Sequence, residues 1–304
     1  MTVSADEVAA LDWYHTIELP GGIVTPGFYD HRGVVGRLPI PPSLAGCRCL
    51  DVGSSDGFWA FQMWRRGASE VLSIDLEDPA RQEWQGERRV EGQEGASPGI
   101  PEPERTSPTA SVSGAWEGER GRTRRAFELA RAALEADVQR RDLSVYDLSP
   151  EHVGTFDFVF MGSLLLHLRD PAGALLAVRR VCRGQFLLLE PILLSLSLLF
   201  RRTPLASLWQ LDEPRWWLPN MAGLRRLVEA AGFELRASGG PASQKFGRGF
   251  PRWPPRRRPT LAEVLFWTTV RPLGVPSAWV LSEPARASTP ASERAPRVPL
   301  LGWI

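Results

Sequence analysis

Lysine and asparagine are almost missing from this chain: Lys245 and Asn220 are the only examples in 304 residues. A lysine Schiff base or lysine general base therefore has a single possible carrier. Arginine supplies the remaining positive charge, a skew that fits codon bias in a GC-rich genome. Cysteine is scarce as well. Cys47, Cys49 and Cys182 make no even disulfide framework, and no further ligand at workable spacing accompanies the first two. Buried reduced thiols and no metal site are expected. Neither sign of charge is in excess: 36 Lys and Arg face 35 Asp and Glu, so no global field steers a polyanion. A long hydrophobic run is also lacking. The most apolar stretch, 186–200, is interrupted by Glu190 and Pro191 and stopped by Arg201 and Arg202, too short and polar to span a bilayer. The N-terminal segment MTVSADEVAA is acidic and has no basic region followed by an apolar one. It does not read as a secretory signal, and a cytoplasmic location is expected.

What is present is enough apolar material, 43% of residues, for a full core. Residues 1–42 mix aromatics, Gly and Pro and read as an ordered N-terminal cap. From Arg48 the pattern becomes apolar strands alternating with amphipathic helices. CRCLDVG enters a Gly turn, FWAFQMWRRGA is the helix after it, and EVLSIDL is a second strand ending at Asp75. FELARAALEA is helical, and further strands lie within DVQRRDLSVYDL, FDFVFMG and QFLLLEP. PAGALLAVRRVC and PNMAGLRRLVEAAGF are helices, FELRAS is a strand, and EVLFWTTV is the candidate last strand. This rhythm predicts βαβ units in an α/β fold with a mostly parallel sheet and helices on both faces. The expected catalytic domain is 43–282. It carries a disordered insertion at 85–122, poor in apolar residues, and a Pro/Arg-rich loop at 239–259; a flexible tail spans 283–304.

The chemistry is concentrated in Asp51-Val52-Gly53-Ser54-Ser55-Asp56-Gly57. A strand, a tight Gly turn and a helix bring backbone N–H groups and a helix N-terminus up to a ligand. A dinucleotide fingerprint needs Gly at 53, 55 and 58, and Ser55 and Phe58 stand at two of those positions. The pattern Asp-x-Gly-x-x-x-Gly instead resembles motif I of class I S-adenosylmethionine-dependent methyltransferases, with Ser55 in place of the middle glycine. That resemblance implies the Rossmann-like class I methyltransferase fold, a mostly parallel seven-stranded sheet. It also implies S-adenosyl-L-methionine as cofactor, with Asp51, Gly53, Ser54, Ser55 and Gly57 around it and Asp75 and Leu76 at its ribose. Ser144 and Val145 match the adenine edge, and Met161 the methionine part.

A narrower resemblance runs through WYHTIELPGGIVTPGFYD, LDVGSSDGFWAFQMWRRGASEVLSIDLED and FDFVFMGSLLLHLRDPAGAL. Over about two-thirds of the chain it is similar to the tRNA wobble-uridine (5-oxyacetate/methoxy) methyltransferase-like family. Carboxymethyl-transferring members carry Tyr before the histidine that follows the fourth strand; here Leu166 precedes His167, which favours S-adenosylmethionine itself. His167 and His15 are the candidate bases; His167 has the alternative of a histidine that merely holds its loop, and His15 falls in the cap expected over the cofactor. Trp209, Trp216 and Trp217 lie in a segment that either stacks on a flat acceptor or packs as a lid. The arginine runs at 122–125 and 252–258 either grip phosphates or are solvated charge. A small-molecule, lipid or glycan acceptor is the leading expectation, with tRNA and a non-catalytic cofactor-binding relative as alternatives. The sequence leaves the oligomeric state open.

Overall fold

A computed structural model describes residues 3–77, 81, 120–208, 215–250, 264, 268 and 270–285. Ten strands are named here: β1 (Tyr29–Asp30), β2 (Arg48–Val52), β3 (Glu70–Asp75), β4 (Gln139–Asp142), β5 (Phe156–Gly162), β6 (Cys182–Pro191), β7 (Ala206–Leu208), β8 (Trp217–Pro219), β9 (Phe233–Phe246) and β10 (Val275–Pro284). The main sheet has the order β1-β9-β10-β6-β5-β2-β3-β4, while β7 and β8 form a separate antiparallel ribbon. Strands β4, β3, β2, β5 and β6 are mutually parallel, and β10 runs antiparallel between β6 and β9. This is the doubly wound, Rossmann-like order of the class I methyltransferase fold. The eighth strand, beyond the seven expected, is β1. It belongs to the cap and pairs Tyr29 with Phe246 and Asp30 with Lys245 at the β9 edge.

Two other expectations change. Strand β9 continues through Phe246, so 239–246 are sheet and not loop. The last strand is Val275–Pro284, and in EVLFWTTV the described residues Val264, Thr268 and Val270 are helical. A short apolar run does not distinguish a helix from a strand, and Val264 and Thr268 are exposed there. The expected insertion at 85–122 lies largely outside the described residues, as do Trp209, the arginine run 252–258 and the tail beyond Ala285.

Period-two alternation divides the core between the two sheet faces. Leu50, Val52, Val159, Met161, Phe186 and Leu188 pack with helices α3 (Pro171–Val181) and α4 (Met221–Ala230). On the other face, Cys49, Phe158, Phe160 and Leu187 pack with α1 (Phe58–Trp64) and α2 (Arg120–Leu134). Trp13, Ile17, Leu19 and Val34 of the cap join this second cluster. Each large side chain buried there contributes about 1.5–3 kcal/mol, so the cap shares its stability with the domain beneath it.

The lone asparagine is explained by a buried junction. Asn220 caps α4 through its amide oxygen to Gly223 N–H and also accepts from Leu205 N–H. Its Nδ2 donates to the carbonyls of Phe200 and Thr203 at 2.9 Å each. One side chain thus ties the segment between β6 and β8 to the helix that follows.

Candidate functional site

The carboxyl ends of β2, β3 and β5 meet where the strand order reverses, the crevice in which such sheets bind ligands. At that point the chain turns from β2 into α1 with Gly53, Ser55 and Gly57 all at positive φ (75°, 50° and 86°). Glycine meets this need at 53 and 57; at Ser55 the left-handed geometry costs roughly 1–2 kcal/mol. The Ser55 N–H is held at 2.5 Å by Asp75 Oδ2, while Asp75 Oδ1 accepts from Leu76 N–H at 2.8 Å. Asp75 therefore braces the turn and keeps its side chain 22% exposed at the tip of β3. Burial raises its pKa, and the nearby Arg140 opposes that rise.

Arg140, on β4, was invisible as a site residue in the sequence. Its guanidinium donates to Ser54 Oγ and to the Ser55 carbonyl, lies 3.9 Å from Asp75 and stands over the Phe127 ring. Its side chain is 3% exposed. A buried charge in this position neutralises Asp75 from beneath while the turn covers it.

Three residues expected at the ligand make contacts within the protein. Asp51 shares the α1 face of β2 by alternation, and its Oδ2 accepts from Ala60 N–H at 3.0 Å, so it caps the helix from below. Burial pushes its carboxyl up to about 8. The Met161 side chain points to the opposite face and is wholly buried in the α3/α4 core. What comes to the turn from β5 is Ser163, at φ 55°, and Leu164, whose side chain lies over Gly53. A Cβ added to Gly57 would meet Phe127 Cδ2 at 2.5 Å, so this glycine yields to a helix of the protein. Ser144 and Val145 follow β4 beside Asp75: Leu143 N–H donates to the Asp75 carbonyl, and the Ser144 hydroxyl accepts from Tyr146 N–H. His167 lies on the turn Leu165–His167 after Leu164.

His15 reaches the turn. Its Nδ1 lies 2.5 Å from Asp56 Oδ1, and its backbone N–H donates to Asp56 Oδ2 at 2.7 Å. Both residues are buried. The His31 ring is 5.0 Å from that of His15, and Phe58 stacks on His15 at 5.3 Å. Burial and the neighbouring His15 hold His31 well below the usual imidazole range, hence neutral. Tyr14 and Tyr29 complete this wall; burial raises both phenols, Tyr29 to about 12. Behind them Gln244 Nε2 donates to Ser163 Oγ at 3.1 Å and to Ser277 Oγ at 2.6 Å. Asp56 was readable only as part of the Gly turn, since its partner is 41 residues away. The single lysine takes no part: Lys245 Nζ donates to the Pro272 carbonyl on the surface.

Glu190 holds the other side. At the end of β6 its Oε1 accepts from Leu164 N–H at 2.8 Å and Leu165 N–H at 2.9 Å, fixing the 163–167 loop. Burial raises its pKa to about 8 against those hydrogen bonds. The folded chain therefore keeps this proton up to about pH 8, whereas the unfolded chain releases it near the ordinary glutamate value. Stability is full below the unfolded pKa and falls as pH climbs to about 8, then levels off. Glu190→Gln removes the titration. Its melting temperature relative to wild type is expected to rise by several degrees between about pH 5 and pH 8. A gap constant across that window contradicts the assignment.

No family model matches the chain, and no curated protein matches it. Solved structures of similar fold do. The N-terminal domain of EvdMO1, solved with S-adenosylhomocysteine and D-fucose, is 16% identical, with 92% of this chain and 95% of that one covered at a TM-score of 0.49. The 1,6-didemethyltoxoflavin-N1-methyltransferase of Burkholderia thailandensis is 14% identical over 80% of this chain and 72% of that one, TM-score 0.41. The [4+2]-cyclase SpnF is 14% identical over 80% and 76%, TM-score 0.45. Likeness at this level carries no information on activity, and among the described residues no helix is long and apolar enough to cross a membrane.

Proposed function

We propose that this chain is an S-adenosylmethionine-dependent methyltransferase acting on a small-molecule acceptor. The observation that carries the reading is the left-handed turn at the reversal point of the sheet, braced by a partly exposed Asp75. Each Asp75 oxygen takes one backbone N–H and keeps a further acceptor position for a ribose hydroxyl. The N–H groups of Gly53 and Ser54 donate to the Ile74 carbonyl and that of Ser55 to Asp75, so the Gly53 carbonyl would take the methionine ammonium, bordered by Leu164, with Leu76 and Val145 flanking the adenine. The bound cofactor supplies an activated methyl on a sulfonium, and the protein's part is positioning and exclusion of water.

A small acceptor is supported by the cap. His15 and His31 are buried beside the turn, and the cap shares the core of the α1/α2 face. A wall of buried His15 and His31 with half-buried Tyr14 and Tyr29 suits a compact molecule better than a tRNA loop. Incubation with methyl-labelled S-adenosylmethionine and cell extract tests this: label in the small-molecule fraction supports it, and label in RNA alone overturns it.

Asp56 would orient His15 so that Nε2 is its proton-exchanging atom, the base for an acceptor that must lose a proton. Asp56→Asn is then expected to slow labelling about 100-fold while cofactor affinity changes little. An unchanged rate would remove His15 from the chemistry.

A further inference from the structure

A cavity lies between the β7–β8 ribbon, α4 and the turn Leu165–His167. Its volume is about 350 Å³, and Leu165, Leu166, Leu205, Trp217 and Leu227 line it with Glu190 at its base. An apolar cavity of about 150 Å³ already takes benzene, and ligand sites begin near 300 Å³. The lining is apolar apart from Glu190, whose Oε1 is engaged by two backbone N–H groups, and Arg226, which keeps its side chain 67% exposed. Nothing in the lining offers a buried charge to an ionic ligand.

The walls are fixed. A Cβ at Gly223 would lie 2.5 Å from the Leu205 carbonyl oxygen, so the glycine allows α4 to approach the ribbon closely. Asn220 locks both to the preceding segment. That same segment leaves Leu198, Leu199 and Leu208 exposed by 67%, 75% and 67%. Between Pro191 and Leu211 the sequence has no acidic residue. A preformed apolar cavity beside exposed leucines accepts an uncharged hydrocarbon by burial alone.

We propose that this cavity is a binding site for an uncharged aliphatic chain, separate from the cofactor turn. The site stands whether or not the methyltransferase reading does, since no cofactor residue lines it.

The test is a fluorescence titration of the full chain with the neutral probe N-phenyl-1-naphthylamine, followed by competition with decan-1-ol. The expected result is saturable one-to-one binding that decan-1-ol displaces. Ala206→Trp on the ribbon and Ala230→Phe on α4 fill the cavity from opposite walls, and each is expected to weaken probe binding at least about 10-fold with a wild-type melting curve. Unsaturable binding, failure of decan-1-ol to displace the probe, or unchanged affinity in both folded variants would overturn the proposal. If both variants fail to fold, Trp217→Phe in the cavity lining decides it: reduced energy transfer from tryptophan to the bound probe supports the site, and unchanged transfer overturns it.

Discussion

Asp75→Ala is expected to weaken S-adenosylmethionine binding at least ~100-fold in calorimetric titration, with the fold retained. Two effects combine. The variant loses a carboxylate aimed from the tip of β3, and hydrogen bonds to charged groups contribute about 1.5–3 kcal/mol each. It also releases the Ser55 N–H, which holds a serine at φ 50°, so the turn is no longer pre-organised for its ligand. Arg140 would remain beneath the turn with its charge less compensated. Asp75→Asn separates the contributions: it keeps an acceptor for Ser55 and loses the charge, and an intermediate affinity is expected. If Asp75→Ala binds as the wild type does, the cofactor lies elsewhere.

Gly57→Val is expected to destabilise the chain by about 4 kcal/mol, measured by denaturant unfolding. The left-handed conformation at φ 86° costs a β-branched residue at least 1–2 kcal/mol, roughly. The added carbon would lie 2.5 Å from the Phe127 ring, and overpacking of a tight core adds about 1–3 kcal/mol. The discriminating companion is Phe127→Ala with Gly57→Ala. The double variant opens room for the Cβ and recovers part of the clash, while the backbone penalty persists. Additivity of the two single changes would show that Gly57 is needed for its φ alone.

The fold was legible because alternation, helical periodicity and the Gly turn agree from Arg48 to Phe186. Met161 and Asp51 show what a motif leaves unsaid. Position in a motif places a residue near a ligand, but strand parity decides which face receives its side chain. Parity sends Met161 into the α3/α4 core and Asp51 to the start of α1. Tyr29–Asp30 was unreadable as a strand because two residues carry no period. Arg140 carries no site signal in QRRD; the packing of Phe127 and the turn buries it. Asp56 and His15 were each visible, but a contact spanning 41 residues leaves no local signal. Glu190 read as an interruption in an apolar run. Its backbone acceptor role at the end of β6 explains why a carboxyl sits there.

The left-handed turn and its carboxylate brace are the centre of the account, and cofactor binding tests them most directly. Titration of S-adenosylhomocysteine into the wild-type chain is expected to give one site with a dissociation constant of about micromolar or tighter, near −8 kcal/mol or below. Absence of binding heat from a chain that melts cooperatively would contradict it.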